Sequence, residues 1–265
     1  MAYQCLNSSY QYFTIAAPNI SVPPVTFSLW INVTSVIVNK GAALFIWRGA
    51  INTGFMLRYI GTNWELSYYV AGGTQWQTVS GLGVSTGVWQ HACASISSSQ
   101  ARLYLDGVSF TNNVSHGTAN INAAGDLARD PLIDAFHTSF NGLVAEPAIW
   151  TAALDDAECR ALSTRISPLC LTNRLHDLVL YKDMTRPLNR GLGPTLTAVN
   201  GPGVVAHPPI IYPWNRPQRL IRPPRFVPPY RAFPAVSEPG RVEGGWMEAA
   251  GAVQGATVPV GEVSS

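Results

Sequence analysis

Apolar and polar residues alternate over short stretches through the first 150 positions, and Gly, Asn, Ser or Pro interrupts each stretch. A period of two marks a strand with one buried face, whereas a helix repeats its apolar positions every three to four residues. On this pattern strands are predicted at Tyr10 to Ile15, Thr26 to Val33, Ala43 to Trp47, Gly54 to Ile60 and Trp64 to Val70. The series continues at Gln75 to Ser80, Trp89 to Ser97, Gln100 to Leu105, Val108 to Thr111 and Phe140 to Trp150. Roughly ten short strands separated by turn residues describe an all-β antiparallel sandwich rather than alternating helices and strands. The firmest local signal is Leu103-Tyr104-Leu105-Asp106-Gly107-Val108. Asp-Gly between apolar runs forms a two-residue hairpin, because both residues tolerate the positive φ that the turn requires.

One helix follows the strands, over Asp156 to Thr164. Asp155 caps it, Glu158 three positions on completes a capping-box pattern, and Ala157, Ala161 and Leu162 supply a weak apolar stripe. Pro168 ends it. Two more short strands are predicted at Leu178 to Tyr181 and Thr195 to Val199. Beyond His207 the composition changes to Pro208, Pro209, Pro213, Pro217, Pro223, Pro224, Pro228, Pro229 and Pro234. Proline at that density removes amide donors and fixes φ, so neither a helix nor a central strand can form. An extended, polyproline-II-like arm is expected, with a Gly-, Ala- and Val-rich tail from Gly240 to Ser265. The organisation read from the chain is a β-sandwich over 1–170, short strands and connections over 171–206, and the arm and tail over 207–265.

Composition refines this picture. A chain of 265 residues can build one full-sized core plus an appendage. Charged residues make up 12%, about half the usual share, while the apolar 47% is ordinary. The surface must therefore be neutral and rich in Ser, Thr, Asn, Gln and Gly, which suits a β protein that meets other proteins or sugars. A net charge of +2 argues against nucleic-acid binding, which shows a strongly basic face. No apolar run is long enough to span a bilayer, and no signal-peptide pattern follows Met1, so no membrane partner and folding in the cytoplasm are expected. Cys5, Cys93, Cys159 and Cys170 lack metal-ligand spacing. They read as four free thiols, with a Cys159–Cys170 bridge as the alternative.

Four pieces stand in a recognisable order: Thr26-Phe27-Ser28-Leu29-Trp30-Ile31, Gly87-Val88-Trp89-Gln90-His91, Leu103-Tyr104-Leu105-Asp106-Gly107, and Phe140-Asn141-Gly142-Leu143-Val144-Ala145-Glu146 followed by Ala153-Leu154-Asp155-Asp156-Ala157-Glu158. Together, over residues 2 to about 166, they resemble the laminin-G-like branch of the concanavalin A-like superfamily. The resemblance implies a two-sheet jelly roll with one short helix after the last strand. The chain departs from the family at Ala145, where an Asp is usual, and in the irregular Gly125 to Thr138 segment. The family's calcium and ligand chemistry is therefore not carried over. No cofactor is expected, although a calcium held by loop carbonyls stays open. The segment Leu196 to Pro213 is similar to the ending of laminin-G-like proteins encoded by tailed bacteriophages, which implies a virion protein.

Candidate chemistry is sparse. Superfamily members that cut polysaccharides carry closely spaced acids on one strand, because retaining hydrolysis sets two carboxyls across the bond. No such arrangement is present, and helix capping accounts for Asp155, Asp156 and Glu158, so no catalytic residue and no enzyme activity are expected. His91, His116, His137, His176 and His207 have no nucleophile motif beside them and read as structural. No His or Cys pair has zinc spacing, and no loop matches an EF-hand. Trp64, Tyr69 and Trp76 fall on adjacent predicted strands near Asn63, Gln75 and Gln77, and could form a glycan-binding patch; the alternative is that these aromatics fill the core or an oligomer interface. The arm interleaves Tyr212, Trp214, Phe226, Tyr230 and Phe233 with Arg216, Arg219, Arg222, Arg225 and Arg231. Pre-extended chain with aromatic and Arg anchors suits an interface.

These features give two expectations. The first is a bacteriophage virion structural protein, a capsid decoration or cement protein whose arm clamps the major capsid protein, other virion proteins or sister copies. The second is a lectin-like carbohydrate-binding module on a tail or fibre, with surface glycans as partners. A glycoside hydrolase is the remote third.

Overall fold

The computed structural model describes residues 2–36, 42–48, 54–69, 77–113, 118–129, 140–184 and 191–213. These belong to a compact unit, Met1–Arg216; a second unit, Pro217–Ser265, lies outside the described residues.

The strands in chain order are β1 (Ala2–Cys5), β2 (Tyr12–Ile15), β3 (Ile20–Val22), β4 (Val25–Val33), β5 (Ala42–Arg48) and β6 (Gly54–Ile60). Then come β7 (Asn63–Tyr69), β8 (Gln77–Gly83), β9 (Trp89–Ile96), β10 (Ala101–Leu105), β11 (Val108–Asn112) and β12 (Ala119–Ile121). The last are β13 (Gly125–Leu127), β14 (Gly142–Trp150), β15 (Leu178–Lys182), β16 (Gly191–Leu192), β17 (Leu196–Val199) and β18 (Gly203–Val205), with the single α-helix among the described residues, α1 (Asp156–Ser163), after β14. A nine-stranded sheet runs β11-β10-β9-β4-β14-β1-β18, with β15 and β16 continuing from β14. A seven-stranded sheet runs β17-β2-β13-β5-β6-β7-β8, and β3 pairs with β12. All ladders are antiparallel, as in a jelly-roll sandwich.

Alternation places the core. In β4, Phe27, Leu29 and Ile31 face the inter-sheet space, where they meet Phe13, Phe55, Leu57 and Tyr59 from the second sheet. Each such fully buried side chain contributes about 1.5–3 kcal/mol relative to an exposed one. The opposite face of β4, with Thr26, Ser28 and Trp30, is buried too. Two covers explain this. Helix α1 and the turns after it pack Leu154, Cys159 and Leu162 onto Cys93, Tyr104 and Trp150. At the other end, Val205 and Ile210 pack on Trp30, Ala145 and Ala2.

The hairpin and helix form where the sequence predicts them. Asp106 and Gly107 take φ of 50° and 79° between β10 and β11. Asp155 Oδ1 accepts from Glu158 N at 2.8 Å, and Glu158 Oε2 accepts from Asp155 N at 2.9 Å. The domain boundary differs. Residues 207–213, expected at the start of the arm, belong to the sandwich unit: Ile211 N donates to Arg165 O at 2.7 Å, and Ser167 N donates to Ile211 O at 2.8 Å. Among the described residues no helix is long and apolar enough to cross a membrane.

Candidate functional site

The outer face of the seven-stranded sheet gathers the most varied chemistry. In β2, Tyr12 and Thr14 alternate with fully buried Phe13 and Ile15, and in β13 Asp126 sits between buried Gly125 and Leu127. Register puts Thr197, Thr14 and Asp126 side by side on β17, β2 and β13. Asp126 in turn opposes Ile46 of β5, which opposes Met56 of β6. Arg129 follows β13 directly. Its Nη1 donates to the Tyr12 hydroxyl at 2.7 Å, its guanidinium carbon lies 4.5 Å from the Tyr12 ring centroid, and it reaches Asp126 at 3.6 Å. Burial raises the Asp126 carboxyl above its ordinary range, and the Arg129 charge and the Thr14 hydroxyl oppose that shift. Further along the face, Arg58 donates to Glu65 Oε1 from Nε at 3.1 Å and from Nη2 at 2.8 Å. The face thus offers an aromatic ring, hydroxyls, carboxylates and guanidinium donors, with the charges in opposed pairs.

The predicted aromatic patch divides. Trp64 is completely buried and meets Tyr59 edge-on, with ring centroids 5.8 Å apart. Its period explains the placement: Trp64 and Leu66 share the inward face of β7, and Glu65 lies between them. Core filling, which the sequence left open for these aromatics, is the role its burial fits. Tyr69 pairs in register with Gly54, and its side chain lies outside the described residues, as does Trp76. Of the arm anchors, Trp214, Arg216, Arg219, Arg222, Arg225, Phe226, Tyr230, Arg231 and Phe233 also lie outside the described residues.

Tyr212 is described, and it reveals a constellation that sequence reasoning missed. Glu146 stands at the break in register between β14 and β4, with φ of 55°. A bulge re-aims a side chain, at a local cost of about 1–2 kcal/mol for a non-glycine residue in the left-handed region. The re-aimed carboxylate is buried, and it accepts from the Tyr181 hydroxyl on Oε2 and from the Tyr212 hydroxyl on Oε1, each at 2.6 Å. His207 Nε2 lies 2.9 Å from Oε1 but off the hydrogen-bonding line. Ser167 and Tyr181 share a hydrogen bond of 3.0 Å. Burial, reinforced by the negative charge, pushes both tyrosine hydroxyls far above their ordinary range, so they remain donors. The arrangement fastens the chain around residues 207–212 onto the nine-stranded sheet and presents no open substrate position.

His91 and Ser28 approach at 2.8 Å, a distance that would suit a base and a nucleophile. Both are buried, Nδ1 of His91 has no partner among the described residues, and burial lowers the imidazole to about 3. The pair is a packed structural contact. All four cysteines are free, so the alternative Cys159–Cys170 bridge is not formed; Cys159 Sγ lies 3.6 Å from Cys93 Sγ instead. Among the described residues no group of three or more His, Cys, Asp or Glu could hold a metal ion.

A model described as the Concanavalin A-like lectin/glucanases superfamily matches residues 7–160. Among solved structures, a heptameric SAP-like pentraxin from Limulus polyphemus superposes with a TM-score of 0.52 at 12% identity, over 76% of this chain and 92% of that one. A candidate carbohydrate-binding protein from Bacteroides ovatus superposes with a TM-score of 0.54 at 14% identity, over 77% of this chain; this chain spans 61% of its length. At such identities the likeness is one of fold. No curated protein matches the chain in sequence.

Proposed function

We propose that this chain, which belongs to the concanavalin A-like lectin/glucanase superfamily through residues 7–160, is a carbohydrate-binding module that holds neutral glycans on the outer face of its seven-stranded sheet. The Tyr12, Arg129 and Asp126 cluster carries the reading. A sugar ring offers apolar C–H patches and a rim of hydroxyls, so its site combines an aromatic or apolar surface with a few convergent donors and acceptors. Tyr12 supplies the ring, Arg129 the donors, and Asp126 and Thr14 the acceptors. Arg129 is opposed by Asp126, and Arg58 by Glu65. That balance suits a neutral polyol better than an anion. The shared fold of the Bacteroides ovatus protein supports the reading at the level of architecture.

Binding without cleavage is part of the proposal. Retaining hydrolysis needs two carboxyls about 5–5.5 Å apart across the bond. Asp126 and Glu65 instead each sit against an arginine. The capsid-decoration reading rests on the arm over 207–265, and neither the family nor the solved relatives favour it over glycan binding.

A glycan array probed with the full chain, followed by affinity electrophoresis on the best polysaccharide, tests the proposal. Arg129→Ala and Asp126→Asn should each weaken binding about tenfold, the effect of losing one charge-assisted hydrogen bond. Absence of binding across the array, or binding unchanged in both variants, overturns it.

A further inference from the structure

A polar cleft of about 270 Å³ opens on the other sheet, where β9 turns into β10 and the chain enters α1. Its walls are pinned from behind. Ser95 Oγ donates to Leu154 O at 2.7 Å; Thr26 Oγ1 accepts from Leu154 N at 2.9 Å and donates to Ala152 O at 2.7 Å. The segment 152–154 is thereby held against the sheet as a rigid edge. Across the cleft, Ser97 N donates to Gln100 O at 2.8 Å, closing the β9–β10 turn. Gln100 Nε2 donates to Asn113 Oδ1 at 2.6 Å, which fixes the amide and leaves its Oε1 to accept.

Arg102 lines the same cleft, opposite Ser95 in register, and its positive charge also acts on the Tyr104 hydroxyl and on Asp156. The acid nearby on the helix, Asp156, is already bonded to Arg160 at 2.7 Å. Asp155, on the opposite rim, spends Oδ1 on the helix cap and keeps Oδ2 available. Ala153, half-buried, supplies a small apolar surface between these groups, with buried Leu154 behind it. A forked donor, two acceptors and an apolar surface thus converge on one small space.

We infer that this cleft is a second saccharide site, taking one sugar unit or chain end, and that the module is bivalent. The inference rests on the carbohydrate reading of the chain and names a site on a different sheet. The volume lies below the roughly 300–1,000 Å³ of pockets that enclose drug-sized ligands, so it takes a single ring. The Arg102 fork donates to adjacent hydroxyl oxygens, Asp155 and Gln100 accept from hydroxyl hydrogens, and the C–H face of the ring lies on Ala153. Opposed charges at the two rims again favour a neutral ligand. Two modest sites on one chain gain affinity for a polymer through effective concentration.

Residue-resolved amide NMR of the full chain tests this with methyl α-mannoside, methyl β-galactoside, methyl β-glucoside and N-acetylglucosamine at millimolar concentration. At least one should shift Ser97, Gln100, Arg102 and Asp155. Arg102→Met should raise the dissociation constant read from those shifts about tenfold or more, while Arg129→Ala leaves them intact. No shift at these residues with any probe, or shifts that survive Arg102→Met, overturns the second site. Shifts confined to Tyr12, Thr14 and Asp126 remove the cleft and keep the first site. Shifts confined to the cleft do the reverse.

Discussion

The Tyr212 hydroxyl donates to the buried carboxylate of Glu146 across 2.6 Å, joining residues 66 positions apart. A hydrogen bond to a charged acceptor contributes about 1.5–3 kcal/mol net. Tyr212→Phe removes it at almost constant volume and should lower stability by about 1.5–2 kcal/mol, the lower part of that range, because Tyr212 itself is only partly buried. Glu146→Gln in the same background should add less than it does alone, since the two act through one bond. Urea midpoints of the four-member cycle check this, and strictly additive effects would contradict the bond.

Acid should weaken the fold through His91. Burial lowers its imidazole to about 3, against an ordinary value near 6.5 in the unfolded chain. Between those values the unfolded state binds a proton that the folded state refuses, so stability is complete above about pH 6.5 and falls as pH drops toward 3. The slope from this residue is about 1.4 kcal/mol per pH unit. His91→Gln should flatten it, because the amide can still bond Ser28 but does not titrate. Urea unfolding of both proteins at a series of pH values from neutral to acid decides the matter; parallel slopes would rule His91 out.

Much of the fold was legible because its signals are local. Asp106-Gly107 sets its own turn, and Asp155 with Glu158 sets its own helix start. The strands that escaped notice are short: β1, β3, β12, β13, β16 and β18 have two to four residues each, too few for a period to register. The face proposed to bind glycans was harder to see. Tyr12 and Arg129 lie 117 positions apart, and they meet only because β13 enters the sheet beside β2. Glu146 was visible as a motif residue, but its partners Tyr181 and Tyr212 come from separate later segments. Trp64 shows a third case: its sequence left a glycan-binding and a core role open, and only its complete burial beside Leu66 decides for the core.

The cysteines should sort by burial. Cys5, Cys93 and Cys159 are completely buried, and Cys170 is only partly so. Burial pushes the Cys5 thiol up to about 12 and the Cys93 thiol upward as well, the latter reinforced by Cys159. Thiolate is the reactive form, so native protein should give one fast equivalent with a thiol-reactive disulfide reagent and the rest only on unfolding. Cys170→Ser should abolish the fast equivalent. Rapid labelling of Cys93 in the native state would mean that α1 opens readily from the sheet.

Truncation should separate the sandwich from the arm at Pro213. Residues 207–213 supply Ile210 to the cluster over Trp30 and Ala145, the Ile211 backbone to Arg165 and Ser167, and the Tyr212 hydroxyl to Glu146. Ending the chain after Ala206 removes all three and leaves the Glu146 carboxylate buried without the Tyr212 donor. Partial burial of Ile210 and the Tyr212 bond together give an expected loss of roughly 2–4 kcal/mol. Ending it after Pro213 removes none of them, so the melting temperature and the glycan binding of 1–213 should match those of the full chain. A fall in stability at Pro213 would show that the sandwich depends on residues 214–265, and equal stability of 1–206 and 1–213 would show that the Glu146 fastening contributes nothing.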